Sequence, residues 1–306
     1  DRTAWPIVAP LPSYPGGWRY QALIGASGAH GVTLDGGGTV DGKGLAWWLD
    51  RDSLNYTRPR LIEPMFCTDF VMRGLTLRDS PYWTVHPYAC DGVLVEDVTI
   101  RAPAWSYNTD GVDPDSCTNV VLRNLDVSCG DDHVAIKSGK NENGRDFGQP
   151  SRDILVEGGV FRFGRGINVG SEMSGGVSSI RVTGARFEGS VYAARVKSAR
   201  ERGGLVKGVV FENIVAHTIE EAITIDMRYS TSEPAAPWDP STPHVEDVVF
   251  RNVTGSAGAA GVLACLVESE CHGVRLEDVN IDSLAGFECL FVHGEANSNV
   301  SPASCL

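Results

Sequence analysis

The chain has 306 residues, with 39 acidic side chains against 26 Lys and Arg, a formal net charge of -13 and a pI near 4.9. A surface of that sign repels nucleic acid and anionic lipid, so neither is expected as a partner, and an acidic substrate would need local basic residues to meet it. No apolar run reaches the length of a membrane span and no signal peptide is visible, so a soluble, mature or trimmed chain is expected. Hydrophobic residues make up 42% of the sequence and glycines number 35, enough for a large core in one repetitive β domain spanning residues 1–306.

The first thirty residues hold Pro6, Pro10, Pro12 and Pro15 and a Gly-Gly turn. They read as irregular surface chain with no chemistry of its own. From Val32 onward a unit recurs: a small turn residue, an alternating apolar strand, then Asn, Asp or Gly, then a second short apolar run. Examples begin at Phe70, Val93, Val120, Ile154, Ile180, Val209, Val248 and Val274, spaced by 23, 27, 34, 26, 29, 39 and 26 positions. Strand-turn-strand units at a loose period of this length indicate a stacked solenoid. A sandwich or barrel would show closer strand spacing and hairpin dipeptides, which are scarce here. The expected fold is all-β, a parallel β-helix, right-handed by the general rule for parallel crossovers.

Cys67, Cys90 and Cys117 each stand three residues before a unit and should stack as an internal ladder of small side chains, without disulfides. Cys265, Cys271, Cys289 and Cys305 lie in the last 42 residues and suit disulfide clasps at the C-terminal end, with pairing left open. No Cys-x-x-Cys spacing supports a zinc site. Sequons at Asn55, Asn252 and Asn299, together with the cysteines, favour a secreted glycoprotein.

Chemistry concentrates between Asn108 and Gly139. Asn108-Thr109-Asp110-Gly111-Val112-Asp113 is followed one unit later by Gly130-Asp131-Asp132-His133. Adjacent carboxylates raise each other's pKa, so such a cluster separates a protonated acid from ionised partners. Glycoside hydrolysis needs that division. In a solenoid whose coils lie roughly 4.8 Å apart, residues one repeat apart become neighbours, which sets Asp110 beside Asp131 and Asp132. The second strand of successive units, or its leading turn, collects the polar exceptions: Trp83 to His86, Asn108 to Asp113, Asp131 to Lys137, Arg165 to Glu172, Arg195 to Lys197 and Ile223 to Tyr229. In Arg195-Val196-Lys197 both cations share one face, and beside three aspartates they suit a clamp for a substrate carboxylate.

These motifs resemble glycoside hydrolase family 28, the polygalacturonases and related pectin hydrolases, whose NTDG and GDD signatures are intact here. The resemblance covers nearly the whole chain and is closest to plant-type members, through Ser80-Pro81-Tyr82-Trp83-Thr84-Val85-His86-Pro87 and Gly170-Ser171-Glu172-Met173-Ser174-Gly175-Gly176-Val177. It implies a right-handed parallel β-helix, Asp131 as general acid, Asp110 and Asp132 activating water, and substrate binding by Asn108, Arg195, Lys197 and Tyr229. Two departures stand out. Gly164-Arg165-Gly166 replaces the family's Gly-His-Gly, and the chain begins well inside the family's fold, so N-terminal coils or a cap are expected to be missing. A permanent cation at Arg165 should favour ionised carboxylates, move the acid limb of activity to low pH, and contact a substrate carboxylate. His86 is a candidate substitute for the missing imidazole at the substrate, His133 is expected in the core, and Glu172 is either a structural acceptor or a substrate contact.

The expected function is therefore a secreted glycoside hydrolase that cleaves α-linked, galacturonic-acid-containing pectin by inversion, with a wide carboxyl separation for the attacking water. The partner is a pectic polysaccharide or oligogalacturonide, no metal or other cofactor is required, and a monomer is expected. Two alternatives remain: a pectate-lyase-like elimination using calcium with an Arg or Lys base, and a catalytically silent pectin-binding β-helix.

Overall fold

The computed structural model describes residues 4–229 and 239–306. The chain winds as a right-handed parallel β-helix. Each coil contributes to three ladders of strands, one more than the two-strand unit expected from the sequence.

The first ladder contains Thr68–Arg73, Asp91–Glu96, Thr118–Arg123, Ser151–Glu157 and Val177–Thr183, then the leading parts of Leu205–Asp226, His244–Ala264 and Cys271–Leu290. Val71, Leu94, Val121, Leu155, Arg181, Val210, Val249 and Arg275 lie in register. Their flanking residues alternate inward, so Phe70, Val93, Val120 and Ile154 stack on one side and Met72, Val95, Leu122 and Val156 on the other, all buried. Burial of each such side chain stabilises by about 1.5–3 kcal/mol.

Each strand then ends at a residue of positive φ: Gly74 (68°), Asp97 (54°), Asn124 (51°), Gly158 (68°), Gly184 (72°), Asn213 (55°), Asn252 (47°) and Asp278 (55°). The left-handed conformation is disfavoured by roughly 1–2 kcal/mol for most side chains, which selects Gly, Asn and Asp here. The amides also bond between coils, Asn124 Nδ2 to Asp97 Oδ1 at 3.2 Å and Asn252 Nδ2 to Asn213 Oδ1 at 2.8 Å. This is the physical content of the recurring Asn, Asp or Gly.

The second ladder, which includes Thr76–Arg78, Thr99–Arg101, Asp126–Cys129, Val160–Phe163 and Arg186–Glu188, turns Leu77, Ile100, Val127, Phe161 and Phe187 inward in register. Phe161 and Phe187 stack with centroids 5.2 Å apart. On the outer face of the first ladder the charges alternate in sign: Glu96 lies between Arg73 (3.9 Å) and Arg123 (3.5 Å), and Arg123 meets Glu157 at 2.8 Å. Further along, Arg251 lies between Glu212 (3.3 Å) and Glu277 (2.6 Å).

The third ladder is short. It runs through Ile62–Met65, single bridges at Val85 and Val112, Val134–Ile136, Ile167–Val169 and Tyr192–Lys197. Ile62, Val85, Val112, Val134, Ile167 and Ala194 fill its inner side, and all are buried. Its outer side carries the polar residues, and three-residue strands or single bridges leave no alternation to read in sequence.

Cys67, Cys90 and Cys117 are free and buried, and they stack as expected: the amides of Cys67 and Cys90 each donate to the next sulfur at 3.4 Å. The C-terminal cysteines form Cys265–Cys271 and Cys289–Cys305 disulfides. Among the described residues no helix is long and apolar enough to cross a membrane.

The proline-rich N-terminal stretch is irregular only in part: Ile7–Val8 pairs antiparallel with Arg19–Tyr20, and the irregular segment between them is held against the coils. Residues 10–17 cross the outer side of the third ladder as a strap, with Leu11 and Ser13 buried. Ser13 Oγ lies 2.8 Å from the Tyr88 hydroxyl, the Ser13 carbonyl accepts from Lys140 N at 2.8 Å, and the Tyr14 hydroxyl donates to Asp115 Oδ2 at 2.6 Å.

Candidate active site

Two adjacent coils of the third ladder bring the acids together. Val112 pairs with Val134, which sets the turn before one strand, Asn108 to Asp110, beside Asp131 and Asp132 in the next. The two turns are locked: Thr109 Oγ1 donates to the Ser106 carbonyl at 3.0 Å and accepts from Gly130 N at 3.0 Å. A Cβ on Gly130 would lie 2.0 Å from the Ser106 carbonyl, so only glycine fits before the Asp pair.

One carboxylate oxygen from each of Asp110, Asp131 and Asp132 lies within 4.8 Å of the others. That is closer than the wide separation expected, because stacking places the groups a single coil apart. A water donating one hydrogen bond of ordinary length to each of two carboxylates spans about 4.4 Å, so the gap admits one such water. The same three groups are the hard oxygen donors a cation would use, but calcium takes six to eight ligands, and the cluster is already faced by cationic side chains.

Each acid has a distinct environment. Asp131, with its side chain 15% exposed, receives its neighbour's backbone N–H from Asp132 at 3.0 Å and approaches Arg165 Nε at 3.9 Å. Burial first, then Asp132, push its pKa up, while Arg165, Lys197 and Lys137 oppose them. The net direction is upward: Arg165 lowers the Asp131 pKa, as expected of a permanent cation, without reversing the effect of burial. Asp132 accepts from Lys197 Nζ at 2.6 Å through Oδ2, and its buried Oδ1 has no protein partner. Asp110 is buried and its pKa is raised well above the usual carboxylate range by burial, then by Asp113 and Asp131. Asp113, also buried, is raised to about 7 by burial, with Lys137 pulling back from 3.7 Å.

Asn108 sits in the left-handed region (φ 55°) and aims its amide nitrogen at Asp131 Oδ2, 3.5 Å away. Arg58 fixes it, donating to Asn108 Oδ1 at 2.9 Å and to the carbonyls of Pro81 and Tyr107 at 2.7 and 2.9 Å. Arg195 is buried, donates to Asp226 Oδ2 at 2.8 Å, and lies over Tyr192 and Tyr229, 4.2 and 5.3 Å from the ring centroids. Lys197 is buried against Asp132, so the expected clamp is closed on the protein's own acids. Tyr229, 43% exposed, and Arg165, with its side chain 46% exposed, form the accessible rim.

His86 corrects the sequence expectation. Its ring is fully buried, with Nδ1 3.0 Å from Glu63 Oε1 and Nε2 3.3 Å from Asp115 Oδ2. No face remains for a substrate. His133 is core, as expected, accepting at Nδ1 from Gly166 N at 3.1 Å, and burial lowers its pKa to about 4. Glu172 accepts from Lys137 Nζ at 3.2 Å, and despite burial Lys137 and Arg202 hold its carboxyl far below the usual range. The sequence reading missed Arg58 and Arg60. Their signal was present: Arg58-Pro59-Arg60, just ahead of the strand Ile62–Met65, spaces two cations as Arg195-Val196-Lys197 does.

The profile of Glycosyl hydrolases family 28 matches residues 16–305. A probable polygalacturonase of Vitis vinifera is 34% identical over 322 residues, covering 100% of this chain and 65% of the relative. A polygalacturonase of Cryptomeria japonica is 29% identical over 307 residues, covering 94% of this chain and 57% of the relative. The chain thus spans less than two thirds of the length of either. The solved polygalacturonase from Erwinia carotovora superposes with a TM-score of 0.81 at 27% identity, over 91% of this chain and 74% of the other. A hyperthermoactive exopolygalacturonase from Thermotoga maritima gives a TM-score of 0.82 at 24% identity, over 95% and 76%, which bears on the fold alone.

Proposed function

The chain belongs to glycosyl hydrolase family 28, and from that premise we propose that it hydrolyses the α-linked galacturonic-acid backbone of pectin. The observation that carries the reading is the triad of carboxylates from adjacent coils, held within 4.8 Å in three different electrostatic settings. Asp131 is the partly accessible acid whose pKa is raised; it keeps a proton and gives it to the glycosidic oxygen as the bond breaks. Asp132, with Oδ1 unpartnered and Oδ2 fixed by Lys197, takes the proton from the attacking water. Asp110 orients that water from the adjacent coil; burial beside Asp113 biases it toward its protonated form, so it is a weaker base than the sequence suggested. A water held between Asp110 and Asp132 attacks the anomeric carbon directly, and the stereochemical course is read from the first anomer formed. Arg165 and Tyr229 at the rim meet the substrate, with the guanidinium on a uronate carboxylate. The two C-terminal disulfides support action outside the cell.

The test is a chromatographic product profile on homogalacturonan, rhamnogalacturonan and substituted pectins, with Asp131→Asn as control. NMR of the first anomer formed reports the stereochemical course. Saturated uronides absent from the Asp131→Asn reaction support the reading. Ultraviolet-absorbing unsaturated products would replace it with elimination, and no products at all would leave a binding protein.

A further inference from the structure

A second feature of the groove concerns how the chain of sugars is held, and it rests on the hydrolase reading above. Beneath the strap of residues 10–17 lies a cavity of about 160 Å³, lined by Tyr14, Arg19, Arg60, Trp83, Lys140 and Glu172 among others. A cavity of about 150 Å³ holds one benzene-sized ring, so this space admits at most one sugar ring. Val85 pairs with Val112, which places Trp83 one coil before Asp110 in the same row. The cavity, which Trp83 lines, therefore lies one coil to the N-terminal side of Asp110, and the aspartates themselves are not in its wall.

Its charge is opposite to that of the whole protein. Arg19, Arg60 and Lys140 line it with one carboxylate, Glu172; Glu172 is already matched by Lys137 at 3.2 Å and Arg19 by Glu63 at 2.5 Å, which leaves Arg60 and Lys140 facing the space. Arg60 is 4% exposed, and neither its Nε nor its Nη1 has a hydrogen-bond partner. It is held by Glu63, 3.6 Å from Nε, and lies 5.2 and 4.9 Å from the ring centroids of Tyr82 and Trp83. A buried guanidinium with unused donors beside a ring-sized space is suited to a carboxylate.

The strap makes this end of the groove a stop. Met65, Tyr88, Asp115 and Lys137 form one row across successive coils, and Ser13 and Tyr14 are bonded to Tyr88 and Asp115 in the middle of it. A polymer threading past Trp83 toward the first coils would have to displace both contacts. We propose that this cavity receives the terminal uronic acid residue of the substrate, its carboxylate drawn to Arg60, so that the enzyme trims chain ends instead of cutting internally.

The experiment follows product size and viscosity during hydrolysis of polygalacturonate and of oligogalacturonides three to six units long. Expected are mono-uronide as the first product from every length, and a viscosity that falls far less per bond cut than with random cleavage. Paired Ser13→Ala and Tyr14→Phe substitutions remove two side-chain contacts of the strap, loosen it, and should lengthen the early products. Arg60→Met should raise KM for oligogalacturonides roughly tenfold or more with kcat little changed, and should abolish binding of free galacturonic acid to Asp131→Asn protein in calorimetry. Arg60→Lys, which keeps the charge but not the fork, should move both readouts the same way by less, and serves if the Met variant does not fold. Mixed long oligomers from the first minutes of wild-type reaction would overturn the end-trimming proposal while leaving the hydrolase reading intact. Absence of hydrolysis on every uronide would overturn both.

Discussion

Replacing Arg165 by Gln isolates one charge beside the proposed acid. Arg165 Nε lies 3.9 Å from Asp131 Oδ1, with side-chain exposures of 46% and 15%. At about 4 Å two unit charges interact by about 1 kcal/mol in water and about 4 kcal/mol at an effective dielectric of 20. A half-exposed guanidinium is screened toward the lower figure, so about 1–2 kcal/mol is appropriate, or about one pKa unit. The sign follows from the role. Asp131 must be protonated to act, burial and Asp132 already raise its pKa, and Arg165 pulls it down. Removing the cation lets the pKa rise further, so the alkaline limb of kcat against pH should move up by about one unit. Arg165→His should match Gln above about pH 6.5, where imidazole is neutral, and approach wild type below it. High salt should shrink the difference between wild type and Gln. An alkaline limb that stays in place, or moves down, would refute the assignment of Asp131 as the acid that Arg165 moderates.

Asp131→Asn and Asp132→Asn should each lower kcat by roughly two orders of magnitude or more, with circular dichroism unchanged; near-wild-type turnover in either would move the chemistry elsewhere. Lys197→Met breaks a buried ion pair of 2.6 Å and should destabilise by about 3–5 kcal/mol in urea unfolding, with a fall in kcat as well as a rise in KM. A pure KM effect would return Lys197 to the role of a simple clamp. Glu63 is held at about 2, against an ordinary 4.5, because His86, Arg60 and Arg19 overcome its burial. Its folded pKa is depressed, so the stabilisation is fully present above the ordinary value and is lost as pH falls toward 2; Glu63→Gln should remove about 3 kcal/mol of acid-dependent stability from that window. Acid-unfolding curves that coincide for the two proteins would exclude it.

The solenoid was legible because its strongest signals are periodic. Phe70, Val93 and Val120 recur with inward alternation, and the left-handed turn admits few residues besides Gly, Asn and Asp, so both mark each coil in sequence. The acids were legible because Asp110 and the Asp131-Asp132 pair sit in tight turns one repeat apart. The third ladder was not legible: Val85 and Val112 contribute single bridges, too short for any period. The role of His86 was misjudged because burial between Glu63 and Asp115 depends on the neighbouring coils, which no local pattern reports. Lys197 likewise looked like a free cation, since its partner Asp132 is 65 positions away. The prolines of residues 10–17 disfavour helix and sheet in that segment but say nothing of where the chain lies, and so the strap was missed.

The alternating charges along the first ladder have a consequence for how such a chain can change length. Arg73, Glu96, Arg123 and Glu157 occupy one row, opposite signs on successive coils. Asp35 precedes Arg73 in the same row, 2.9 Å away, so excising the coil of Arg73, from Thr68 to the residue before Asp91, sets Asp35 against Glu96, and excising the coil of Glu96 sets Arg73 against Arg123. Excising the coils of both Glu96 and Arg123 sets Arg73 against Glu157 and restores the alternation. Each exposed pair is worth less than about 1 kcal/mol, but the preference has a definite parity. Along this part of the row, coils are most readily lost or gained in twos.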